Sequence, residues 1–160
     1  QSSPFPPNLK VKEIISITRD IRKKQNNYDY ELYEKFGIES ILGKKAGALS
    51  QGTRQRLSAA LAFMFDSEIV VLDEPTAGLD PYSSEILKAR IIKLKKAGKL
   101  VLLTTHIVNE VSELSDRLVF MLDGKIKVDR DSFRTPGGNG KEFREMVSKL
   151  FMENEPAKNI

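Results

Sequence analysis

Two acidic residues stand side by side at the end of an apolar run, Asp73 and Glu74 in VVLDEP at residues 70–75. Carboxylates at a strand's exit can divide labour. Asp73 is suited to holding a magnesium ion, directly or through water, while Glu74 polarises a water for attack on phosphorus. Acidic residues also end strands simply because the chain leaves the core there, so the pair gains meaning only from what accompanies it. His106, the single histidine, ends a second apolar run, LVLLTT. A lone histidine is most often structural or incidental, and only its place at a strand's end makes His106 a candidate for more. Metal binding by His106 is disfavoured, since the chain has no second histidine and no cysteine to share the ion. In ALSQGTRQRLSAALAF, residues 48–63, a small polar turn runs straight into an apolar helix pattern. Ser50 is placed to cap that helix, and Gly52 lets a phosphate approach the helix N-terminus; both readings stay open on these residues alone.

The elements that must position these groups fall into three zones. The opening QSSPFPPNLK carries three prolines and predicts an extended loop. A helix is expected over about Val11–Lys24, with Ile14, Ile17 or Ile21 on one face, and a second near Tyr30–Phe36 stopped by Gly37. The third helix is the stretch after Ser50, with Leu57, Leu61 and Met64 at helical spacing. Together they read as a small all-helical lobe.

The period then changes. EIVVLDEP is a continuous apolar run of the kind buried on both faces of a parallel sheet. Asp80 and Pro81 predict a cap and a first helical position, with Ile86, Leu87, Ile91 and Leu94 following and a stop at Gly98. KLVLLTTH reads as a second buried strand, residues 107–114 as a helix, and RLVFML as a third strand. This alternation argues for a parallel α/β layer. Asp123-Gly124 predicts a hairpin turn into KIKVD. RTPGGNGKE reads as a flexible connection to a final charged helix ending near Phe151.

Composition sets outer limits. With 160 residues the chain has room for one core or two small lobes. Hydrophobic residues at 40% and charged residues at 30% are ordinary for a globular protein rather than a disordered one. The net charge of +4 is spread along the chain with both signs interspersed, and no aromatic residues interleave with the RQR arginines, so nucleic acid is not the expected partner. The absence of cysteine excludes disulfides and thiolate metal sites, and no apolar run reaches the ~18 residues of a membrane span.

LSQGT followed by VVLDEPTAGLDP and then LLTTH resembles the ATP-binding subunit of ABC transporters, over almost all of residues 1–128. The resemblance implies a partial P-loop NTPase (RecA-like) parallel sheet lobe plus an all-α signature subdomain. It places Gln1 at the Q-loop, Ser50 and Gly52 in the signature, Asp73 and Glu74 at Walker B and the glutamate that follows it, Ala77 to Asp80 in the D-loop, and His106 in the H-loop. The implied roles are catalysis for Glu74 and His106, nucleotide contact for Gln1, Ser50, Gly52 and Asp80, and magnesium for Asp73 and Gln1. ATP and Mg2+ are the implied cofactors, a second ATP-binding subunit and a membrane permease the partners, and the inner face of the cell membrane the location. A common form of the signature is LSGGQ; here Gln51 replaces its first glycine and Thr53 its glutamine. QGTRQR leans toward exporter subunits.

A phosphate-cradling loop of the form G-x-x-x-x-G-K-[ST] is missing from the chain. In TPGGNGKE, Gly140 and Lys141 fit, but Thr135 and Glu142 stand at the first-glycine and hydroxyl positions, and it reads as a linker. The family carries that loop upstream of the Q-loop, so a carboxy-terminal portion of a longer subunit is expected. Its divisions are residues 1–66 (Q-loop and helical signature subdomain), 67–130 (Walker B to H-loop half) and 131–160 (linker and final helix). In the resembled proteins another strand lies between those matching LVLLTT and RLVFML. Without it the sheet has a gap, which implies self-association or a rearranged sheet. Two other classes fit less of the pattern: a non-catalytic interaction fragment, and a chromosome or repair ATPase, whose long heptad segments are not found here.

Overall fold

The structure is a computed structural model that describes residues 5–22, 28–131 and 145. Gln1, the RTPGGNGKE segment at residues 134–142 and the expected final helix, residue 145 excepted, lie outside the described residues. The chain divides into two compact units, residues 1–104 and 105–160.

The first unit begins with α1 (Val11–Ile21), whose N-terminus is held by Glu13 Oε2 accepting from the Lys10 amide at 2.7 Å. Its buried face is Val11, Ile14 and Ile15, whereas Ile17 and Ile21 are exposed. The expected stripe is therefore displaced toward the start of the helix. Next come α2 (Glu31–Lys35), two short 3-10 turns (Ile38–Ile41 and Ala46–Ala48) and α3 (Gln51–Phe63). Gly37, at φ 62°, takes the left-handed conformation that lets the chain leave α2 and enter the first of these turns. The helices read from the sequence are present, but they share one compact unit with the rest of the chain up to residue 104 rather than forming a lobe of their own, and α2 packs on α3 and on the helix Pro81–Lys96.

In the same unit, β1 (Ile69–Asp73) pairs in parallel with β2 (Leu100–Thr104), in register from Ile69 opposite Leu100 to Asp73 opposite Thr104. Between them runs α4 (Pro81–Lys96), capped by Asp80 with Pro81 at its first position, which packs on β2. Leu32, Ile38, Leu57, Met64, Leu87 and Ile91 are each less than 2% exposed and form the centre of the core. The strands are not buried on both faces. Val70 and Leu72 are buried, while Ile69, Val71, Leu100 and Leu102 are 61%, 65%, 60% and 58% exposed. The physical reason is that a two-stranded sheet covered on one side leaves its alternate residues on the other.

An ion-pair group ties the entry to α2 onto α4. Arg90, buried, reaches Asp29 at 2.5 Å and Glu31 at 3.6 Å, and Glu31 also pairs with Lys93 at 2.8 Å and Lys35 at 2.9 Å. Hydrogen bonds from Lys93 and then Lys35 hold the Glu31 carboxyl down to about 2.

The second unit contains α5 (Val108–Leu114) and an antiparallel hairpin of β3 (Arg117–Leu122) with β4 (Lys125–Asp131). Its turn is Asp123-Gly124, with φ 51° and 71°, the left-handed pair such a two-residue hairpin demands. A bulge falls between Phe120 and Met121. Arg117 grips Asp129 through two hydrogen bonds of 2.8 and 2.9 Å. The expected third strand of the parallel layer, RLVFML, is thus bonded in a separate two-stranded sheet.

Candidate functional site

Of the site candidates in the first unit, Ser50, Gly52, Asp73 and Glu74 lie on two segments that meet where β1 ends and α3 begins. Ser50 caps α3, its Oγ accepting from the Thr53 amide at 3.2 Å and lying 2.8 Å from the Thr53 hydroxyl. The capping interpretation is therefore realised, and the hydroxyl still lies at the surface. The arginines of the RQR run are not free on the helix surface. Arg54 donates to the Leu49 carbonyl at 2.7 Å, and Arg56 to the Thr53 hydroxyl at 3.4 Å.

Asp73 is the last residue of β1 and is exposed. Parallel register puts Thr104 opposite it, and the Thr104 hydroxyl donates to Asp73 Oδ1. Glu74 leaves the strand with φ 43°, a left-handed conformation that costs a non-glycine residue about 1–3 kcal/mol unless its surroundings hold it. They do so from two sides. The Glu74 amide donates to the Thr104 carbonyl at 3.0 Å, and its carbonyl accepts from the Ala77 amide at 3.1 Å. On α3, the Gln55 side-chain amide donates to the Pro75 carbonyl at 2.9 Å and to the Glu74 carbonyl at 3.3 Å.

The loop after Glu74 lies close against α3. A Cβ on Gly52 would sit 2.8 Å from the Gly78 carbonyl oxygen, and one on Gly78, at φ 76°, would lie 3.2 Å from Gln51 Nε2. Gln51, the departure from LSGGQ, therefore rests its side chain against Gly78. At the loop's far end Asp80 accepts from the Ser83 amide at 2.9 Å and the Ser83 hydroxyl at 2.7 Å. Those two Ser83 bonds, the hydroxyl's first, hold the Asp80 carboxyl below its usual range.

His106 belongs to the second unit and is exposed. The turn around it is fixed by Thr105, whose hydroxyl donates to Glu110 at 2.7 Å and accepts from the Ile107 amide at 3.0 Å, with Glu110 buried.

Among the described residues no three His, Cys, Asp or Glu side chains cluster as a metal site. Mg2+ commonly takes only one or two protein carboxylates when phosphates and water complete its shell. The Asp73-Glu74 exit fits an ion that arrives with a nucleotide better than a cage made by this chain alone. The sequence reading had singled out neither Gln55 nor Thr104. A parallel-register argument would have found Thr104; Gln55 carries no signal, because its partners lie 19 and 20 residues away.

Residues 1–77 match the family described as "ABC transporter". The chain is 35% identical over 96 residues to the ABC transporter ATP-binding protein NatA of Bacillus subtilis, covering 60% of this chain and 39% of that protein. It is 42% identical over 96 residues to a fluoroquinolones export ATP-binding protein of Mycobacterium tuberculosis, covering 60% of this chain and 32% of that protein. It thus spans well under half the length of both relatives. A solved ATP-binding subunit of an ABC transporter superimposes with a TM-score of 0.74 at 22% identity, over 96% of this chain and 65% of the other. That last likeness is one of fold.

Proposed function

We propose that the chain, whose residues 1–77 match the ABC transporter family, is part of the ATP-hydrolysing subunit that powers transport through a membrane permease. The observation that supports this most is the meeting, within one unit, of a capped helix N-terminus at Ser50 with a loop opened by two carboxylates, Asp73 and Glu74. Magnesium, when bound with ATP, supplies charge neutralisation at the phosphates. Asp73, steadied by Thr104, would hold that ion directly or through water, and Gln1 is the residue that the family resemblance assigns to a further nucleotide and metal contact. Glu74 orients and polarises the attacking water, and His106 donates toward the terminal phosphate. Ser50 and Gly52 face the γ-phosphate of ATP carried by a second ATP-binding subunit, and Asp80, which caps α4 at the end of the D-loop, adds a further nucleotide contact.

In this reading ATP is sandwiched between two subunits. Binding closes the pair and hydrolysis reopens it. Residues 1–66 are the Q-loop and signature subdomain that passes the motion to the permease, 67–130 the Walker B to H-loop half, and 131–160 a linker and final helix. The subunit works in the cytoplasm at the inner face of the membrane; no helix among the described residues is long and apolar enough to cross it. The export named for the M. tuberculosis relative favours the outward direction.

The test is Glu74→Gln in the longer subunit that carries this segment. Turnover should fall about 10²–10⁴-fold, the usual worth of a positioned general base, while ATP binding persists and holds the pair closed. Binding that falls in parallel with turnover would make Glu74 structural and sink its catalytic role.

A further inference from the structure

Resting on that reading, we propose that Gln55 is the positioning residue for Glu74, its side-chain amide holding the left-handed turn that sets where the carboxylate leaves β1. Both neighbours of the Gln55 amide, the Glu74 and Pro75 carbonyls at 3.3 and 2.9 Å, are acceptors. The edge that faces them must be the NH2 group, which fixes the orientation of the side chain without ambiguity.

The Glu74 residue is thereby held at both ends. Its amide is taken by Thr104 on β2 and its carbonyl by Gln55 on α3 and by Ala77 in the loop. A residue at φ 43° that lost one of these anchors would be free to relax toward the ordinary strand conformation. That relaxation would swing the carboxylate without unfolding anything.

Gln55 does not act by itself on this face. Gln51 lies one helical turn earlier on the same side of α3, and its side chain rests against Gly78, while Gly52 lies against the Gly78 carbonyl. The first two turns of α3 thus seat the 74–80 loop at both its beginning and its middle. Ser50, at the tip of the same helix, is rigidly linked to Glu74 through it. The segment that would meet a phosphate on another subunit and the carboxylate that would act on this one form a single piece. A shift of α3 is passed directly to the Glu74 backbone.

Three forms are compared: the natural chain, Gln55→Met, which keeps the shape and removes the donor, and Gln55→Lys, which restores an N–H donor at similar reach. In the 160-residue chain, amide hydrogen exchange is followed at Ala77 and Leu79, which donate to the Glu74 and Thr76 carbonyls. Leu87 and Ile91 in α4 report on the fold. Gln55→Met should speed exchange at Ala77 and Leu79 about tenfold or more while the α4 amides keep their protection, and Gln55→Lys should return it toward the natural rate. Unchanged loop exchange in a folded Gln55→Met chain overturns the proposal, as does a Gln55→Lys chain no better protected than Gln55→Met.

In the longer subunit, Gln55→Met should lower kcat about tenfold with KM for ATP held within about twofold, and Gln55→Lys should recover much of it. A rise in KM alone, or full kcat in Gln55→Met, overturns the positioning role. A natural subunit without ATPase activity would instead overturn the transporter reading, and the exchange measurements would still decide whether Gln55 holds the loop.

Discussion

The Cα of Gly52 on α3 faces the Gly78 carbonyl so closely that a methyl group placed on it would lie 2.8 Å from that oxygen. The neighbour is backbone, and Gly78 is itself left-handed at φ 76°, so neither side yields cheaply. Gly52→Ala gains up to about 1 kcal/mol in helix propensity and loses about 1–3 kcal/mol to overpacking. A net destabilisation of about 1 kcal/mol is expected, read as a lower urea midpoint at unchanged slope. Equal or higher stability would show that the 74–80 loop moves aside freely.

The chain on its own should neither bind ATP tightly nor hydrolyse it. Its 160 residues contain no G-x-x-x-x-G-K-[ST] pattern to supply the lysine and the row of amides that cradle the phosphates. Isothermal titration of the purified chain with Mg-ATP checks this. Steady turnover that disappears in Glu74→Gln would refute it.

Acid should loosen the first unit through Glu31. Lys93 and Lys35 hold its carboxyl at about 2, below the ordinary 4.5. A depressed carboxylate stabilises the fold at pH values above its unfolded value, and that stabilisation drains away as the pH falls from about 4.5 toward 2. Glu31→Gln should therefore be less stable than the natural chain at pH 6, by about 1 kcal/mol since solvent screens the lysines. The two stability curves should converge near pH 2. Curves that stay parallel across that window would show that Glu31 does not carry the linkage.

The bare face of β1 and β2 should make the chain self-associate. Ile69, Val71, Leu100 and Leu102 are each more than half exposed on one side of the parallel pair, and apolar patches beside open strand edges draw a second copy. Sedimentation should show mass rising with concentration in the micromolar range, and Val71→Thr with Leu102→Thr should abolish the rise while keeping strand propensity. A natural chain that remains monomeric throughout would count against this.

Much of this protein was legible in the sequence because much of it is decided within a few residues. The Ser50 and Asp80 caps, Pro81 at a first helical position, and the Asp123-Gly124 turn each depend on hydrogen bonds or φ values spanning no more than four positions. Local chemistry writes these features, and the structure contains all of them. The parallel pairing of the VVLD and LVLLT runs was legible too, because continuous apolar runs around a helix have few other ways to pair. What the sequence did not carry was which apolar residues would find a cover. Ile14 is buried and Ile17 is not, and Val70 is buried and Val71 is not, although each pair is identical or nearly so in side-chain chemistry. Gln55 likewise became a clasp on Glu74 only when folding brought α3 against the end of β1. Burial and long-range hydrogen bonding are properties of the partner as much as of the residue, and the partner is chosen only by the tertiary packing.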